Sequence, residues 1–212
     1  MELDEFSKHY REEQKKITSD LEESGVFVTD IYQELPRNKT VWKKASPTLI
    51  KWLPKVTNTG LREAIIRLLS VPWLRGDPVG GTLMNIALDP TISSGLRWVI
   101  GNAIEVIADD NSFSDIKRLV TNQSFGTGRQ MFVMALGRIK IPEAIPLLVI
   151  LLKDDDINGH AIAALRKLEA VETIEEVRKL ADYPRAWVRK EAQKTVRKFE
   201  KIIAQQAANP DK

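Results

Sequence analysis

Apolar residues recur at helical spacing along this chain, in segments that resemble one another. Placed side by side, LREAIIRLLSV (61–71), LRWVIGNAIEV (96–106), GRQMFVMALGR (128–138), NGHAIAALRKL (158–168) and VRKEAQKTVRK (188–198) align on Leu68, Ala103, Ala135, Ala164 and Thr195. The intervals between those anchors are 35, 32, 29 and 31 residues. Three positions before each anchor stand Ile65, Ile100, Phe132, Ala161 and Ala192, and directly after it Leu69, Ile104, Leu136, Leu165 and Val196. Such offsets put all three positions on one apolar stripe of an α-helix. A second amphipathic segment precedes each of these: SPTLIKWLPKV, GGTLMNIAL, SFSDIKRLV, IPEAIPLLVILL and VETIEEVRKLA.

Breakers fall where helix pairs need them. The stretches TNTG, DPTISSG, SFGTG and DDDING read as turns between the two helices of a unit. Ser46 with Pro47 behind it, and Pro142, mark helix starts, while Pro54 and Pro146 fall inside first helices and predict bending or shortening. VFVTDIY is the single strand-like candidate and reads better as the beginning of a helix. Repetition at a period of about 32 residues predicts an all-α fold, an α-solenoid of about five two-helix units. Residues 1–45 read as an acidic N-terminal helix and cap segment, 46–205 as the repeat array, and 206–212 as a C-terminal tail.

Three sets of residues carry a family resemblance: Asp182…Val188-Arg189…Ala192, Arg129…Ala135-Leu136…Ile139, and His160-Ala161…Ala164-Leu165…Leu168. They resemble HEAT-like repeats, especially the short bacterial kind named after phycobilisome lyases, and the likeness covers residues 46–201. With GLRWVIGNA, GRQMFVMALG and GHAIAAL in order, the whole chain looks like a bacterial group of HEAT-repeat proteins of undefined role. The resemblance implies a right-handed superhelix whose second helices line a concave face. GGTLMNIAL departs from the pattern, being short and glycine-led.

Composition narrows the chemistry. A chain of 212 residues can bury a core without staples. It contains no cysteine, which removes disulfides, thiolate zinc sites and thiol nucleophiles together. The N-terminal MELDEFSKHYREEQKK is charged rather than signal-like, and the longest apolar run, AIPLLVILL, falls well short of the ~20 residues that span a bilayer. The expected location is therefore cytoplasmic. A net charge of +3 hides segregation: residues 1–36 balance to −6, 37–75 to +8, 76–158 to −3 and 159–212 to +4. Docking of the acidic N-terminal helix near the basic block is one reading; an anion-binding patch is the other.

Candidate surfaces follow from the register. Arg62, Arg97, Arg129 and Arg189 stand six positions before their anchors, where a guanidinium can brace carbonyls or carboxylates of an adjacent repeat as a structural ladder. Arg67, Trp98, Asn102, Glu105, Gln130 and His160 fall on or beside one face of the second helices, an aromatic-plus-polar surface suited to a partner. Lys43 and Lys44, beside Trp42 in a basic block, and Arg138, Arg166, Lys167, Arg197 and Lys198 form the candidate anion or nucleic-acid contacts. DDDINGHAIAAL mimics the start of a calcium loop, but its twelfth position is Leu165 where a bidentate glutamate is required. Only two histidines, His9 and His160, occur, and no metal set, phosphate loop or nucleophile–base constellation is visible.

These readings favour a non-enzymatic scaffold that binds a partner protein through its concave face, with no cofactor and no metal. The alternative is nucleic-acid binding through the basic and aromatic patches. HEAT-like DNA alkylation-repair glycosylases combine a basic concave face with tryptophans and a carboxylate, and Trp98 and Glu105 match in type only.

Overall fold

The computed structural model describes residues 2–32 and 39–208, and all regular structure among them is helical. Helix α1 (Glu2–Glu23) precedes a series of pairs: α2 (Lys39–Trp52) with α3 (Thr59–Leu69), α4 (Val79–Leu88) with α5 (Ser94–Ile107), α6 (Phe113–Val120) with α7 (Gln130–Leu136), α8 (Ala144–Leu151) with α9 (Asn158–Leu168), and α10 (Ile174–Arg178) with α11 (Ala186–Ala208). Single turns of 3-10 helix join several of them. The fold is an α-solenoid-like stack. Arg37 and residues 209–212 of the expected tail lie outside the described residues.

The repeat register holds in space. All five anchors are buried, and so are the positions three before and one after them. The second helices α3, α5, α7, α9 and α11 pack on one another in unbroken succession, whereas α4, α6, α8 and α10 chiefly touch their own pairs and α2 packs mainly on α1. The second helices thus form one continuous row, called the inner row below. At Gly101 an added Cβ would lie 2.7 Å from the Cβ of Met131, so only glycine lets α5 and α7 approach this closely.

Several local expectations are corrected. α2 begins at Lys39, so Pro47 sits inside it and the 45/46 boundary cuts a helix. The unit starts earlier because Trp42 and Ala45, both buried, belong to its apolar face. Trp42 is thus core rather than a nucleic-acid contact. Pro54 lies just beyond the end of α2, in a turn, and Pro146 lies in the first turn of α8, where a missing N–H leaves no bond unmade. Residues 26–28 are irregular rather than the beginning of a helix. The glycine-led α4 docks through Val79, Leu83, Met84 and Ala87, all buried.

α1 covers the open end of the stack. Ile17 and Leu21 bury against α2 and α3, and Asp20 accepts hydrogen bonds from Lys51 Nζ (3.0 Å) and Trp52 Nε1 (2.7 Å). Glu13 accepts the amides of Thr57 (3.0 Å) and Asn58 (2.9 Å), placing a carboxylate at the positive N-terminal end of α3. Burial pushes the Glu13 carboxyl up, but these bonds outweigh it and hold the group below its ordinary value. Among the described residues one ion pair, Lys51–Asp20, joins the acidic N-terminal helix to the basic block.

Candidate functional site: the inner face of the stacked helices

The recurring arginines come first, because they set the row on which the site sits. Arg62 donates to the Val56 carbonyl, and Arg97 to those of Ala87 (2.9 Å) and Asp89 (2.8 Å). Arg189 reaches the carbonyls of Tyr183 (2.8 Å) and Pro184 (3.1 Å). These partners lie within the arginine's own unit, at or beyond the end of its first helix, where carbonyls lack helical donors. They are not in an adjacent repeat. Arg129 does both: it takes the Val120 carbonyl (3.1 Å) and grips Asp154 of the next unit with two nitrogens, at 2.7 and 3.2 Å. Asp154 also accepts the amide of Asp156 (3.1 Å), so the calcium-loop mimic is an arginine receptor.

Along the inner row the side chains divide sharply. Trp98 is 38% exposed, and Asn102, half-buried one turn on, donates to its carbonyl at 3.4 Å. Gln130, half-buried, donates to the Asp156 carbonyl (3.1 Å) and so spans two units. Arg67 is exposed and pairs with Glu63 of its own helix at 3.5 Å. His160 is half-buried with its ring centroid 4.9 Å from that of Trp187. Desolvation there lowers the imidazole pKa from 6.5 to about 4, and Nδ1 is buried without a hydrogen-bond partner. His160 is therefore a neutral, packed ring near pH 7.

Glu105 stands apart from the others. Its carboxylate binds Arg138 Nε (2.7 Å) and Lys167 Nζ (2.9 Å), tying three units together. Burial raises its pKa, and the two cations more than offset that, leaving it lowered. Arg166 pairs with Glu191 and bonds Thr195 Oγ1 (3.0 Å), and Lys198 pairs with Glu169 at 2.7 Å. The basic row is thus largely stitched to acids of neighbouring units. Lys43, Lys44 and Arg197 are exposed, and among the described residues they form no ion pair.

Trp187, absent from the candidate set above, completes the surface. It is 45% exposed and its ring covers Gly159, which occupies on α9 the register position that Trp98 holds on α5. With helices packed 8–10 Å apart, the two tryptophans stand roughly 20 Å apart along the row, with Gln130 between. A glycine facing a bulky residue one unit later was the signal available in the sequence.

Residues 116–197 match the model of a family described as HEAT repeats. This stretch is built of HEAT-like repeats. The match starts in α6 and ends in α11, so it takes in the Arg129–Asp154 lock, Gln130, His160 and Trp187. No curated protein and no solved structure matches the chain. HEAT repeats commonly serve as protein-interaction scaffolds. No helix among the described residues is long and apolar enough to cross a membrane.

Proposed function

We propose that this HEAT-like protein is an interaction scaffold that takes a partner protein along the inner face of its second helices. The observation that carries this is the pair of exposed tryptophans, Trp98 and Trp187, on an otherwise well-packed helical row. Tryptophans are among the residues that dominate binding energy where a partner covers them. Around them Asn102, Gln130 and Arg67 supply polar rim contacts. The stacked helices hold these groups rigidly, so little ordering entropy is lost on binding.

The test uses the full chain, tagged and incubated with lysate of its source cell. Wild type is compared with the Trp98→Ala/Trp187→Ala variant, both checked for helicity by circular dichroism. Recovery of a specific partner should fall about tenfold or more in the variant, as for loss of central aromatic anchors. Equal recovery by both proteins overturns the proposal.

A further inference from the structure

A second recess lies beyond the C-terminal ends of α7 and α9, away from the tryptophan row. It is a cleft of about 550 Å³ formed by the α7–α8 connection, the end of α9 and Arg75. Ile139, Ile141, Ile145 and Leu168 give it an aliphatic lining, and Arg75, Arg138, Lys140 and Lys167 provide four cations. Two carboxylates meet this set. Glu105 is shared by Arg138 and Lys167, and Asp110 accepts the backbone amide of Lys140 at 3.1 Å. The Arg75 guanidinium donates to the Val106 carbonyl at 3.2 Å, a neutral acceptor. The recess therefore carries surplus positive charge over an apolar floor.

This combination discriminates among ligands. No aromatic ring lines the cleft, so nucleobases have nothing to stack on, which is where single-stranded nucleic acid gains much of its affinity. An aliphatic side chain, by contrast, can bury its branched end against the isoleucines and Leu168. A carboxylate beside it would meet Arg75 and Lys140, whose charge the carboxylates of this chain leave incompletely neutralised. Charge-assisted bonds of this kind are stronger than neutral ones.

We propose that the cleft between Arg75, Lys140 and Ile145 binds an acidic–aliphatic peptide segment of a partner protein, its aliphatic side chain on the floor and its carboxylate on the cationic rim. The proposal rests on the scaffold reading and names the chemistry of one segment of the partner.

The experiment measures fluorescence anisotropy of a labelled peptide of alternating leucine and glutamate against the intact protein, at low and moderate salt. The leucine–glutamate peptide should bind and weaken with salt. A serine–glutamate peptide, and the Arg75→Glu/Lys140→Glu variant with the original peptide, should each bind about tenfold more weakly or worse. Both replaced residues are exposed, so the variant is expected to fold. Trp98→Ala should leave peptide affinity unchanged, which separates this site from the tryptophan row. The proposal is overturned if the leucine–glutamate peptide does not bind, if the serine peptide or the charge-reversed variant binds equally well, or if single-stranded DNA or decanoate displaces the peptide at lower concentration than unlabelled peptide does. In any of those cases the tryptophan row still stands or falls on its own variants.

Discussion

The ring of Trp187 lies so close over Gly159 that a Cβ on the glycine would come within 2.0 Å of a ring carbon. The contact joins α11 to α9 and holds the indole against His160. Gly159→Ala must therefore push Trp187 outward. We expect a loss of about 1–2 kcal/mol, the ordinary cost of overpacking, together with a red shift of tryptophan fluorescence. Chemical denaturation with emission spectra checks it, and unchanged stability with an unchanged spectrum contradicts the contact.

Arg129 is the most buried of the recurring arginines and the one that bridges two units. Burial pushes the Asp154 carboxyl up, and its bonds to Arg129 and the Asp156 amide outweigh that, keeping it below its ordinary value. Arg129→Met removes the guanidinium while nearly preserving volume, and strands the carboxylate and the Val120 and Gly126 carbonyls. A destabilisation of about 3 kcal/mol is expected, since breaking a buried pair costs more than the pair contributes. Adding Asp154→Asn should recover part of the loss in a double-mutant cycle. Strict additivity would show that the two residues do not interact.

His160 gives the protein a pH dependence of definite sign. Its pKa is 6.5 in an ordinary setting and about 4 beneath Trp187. Between those values the unfolded chain binds a proton that the folded chain refuses. Stability therefore falls as pH drops through that window. Glu105 and Asp154, also held low, lose their contribution further down, as pH falls through their depressed values. In thermal melts at pH 7 and 5, wild type should lose about 1 kcal/mol more than His160→Gln, allowing for partial solvent screening. Equal losses would contradict a buried neutral imidazole.

The end of α9 contains the one non-glycine residue with positive φ among the described residues, Glu169 at φ 55°. It turns the chain so that the Ala170 amide reaches back to the Leu165 carbonyl at 3.2 Å. A side chain in this region costs about 1 kcal/mol relative to glycine. Its exposed pair with Lys198 offsets little of that. Glu169→Gly should thus raise the melting temperature by about 2–4 °C. A fall would show that the pair matters more than the backbone.

The helical pairing was legible because burial repeats. Leu68, Ala103, Ala135, Ala164 and Thr195 share a register that any alignment exposes, and every one is buried. The positions of single side chains were less legible, for reasons specific to each. The partners of Glu105 lie 33 and 62 residues away, so its role as a tie among units was invisible beside its helical neighbours Trp98 and Asn102. Exposure of Trp187 depends on a glycine in the preceding unit. Pro47 suggested a helix start, but the burial of Trp42 and Ala45 extends α2 backward through it.

The most direct test of the central claim places a photo-crosslinking amino acid at Gln130, between the two tryptophans, or at Lys117, exposed on the first helix α6. Irradiation in the source cell followed by capture should give a discrete protein adduct from position 130 that disappears when Trp98→Ala and Trp187→Ala are added, and none from position 117. Adducts from position 117 alone, or adducts from 130 that survive loss of both tryptophans, would contradict binding along the inner face.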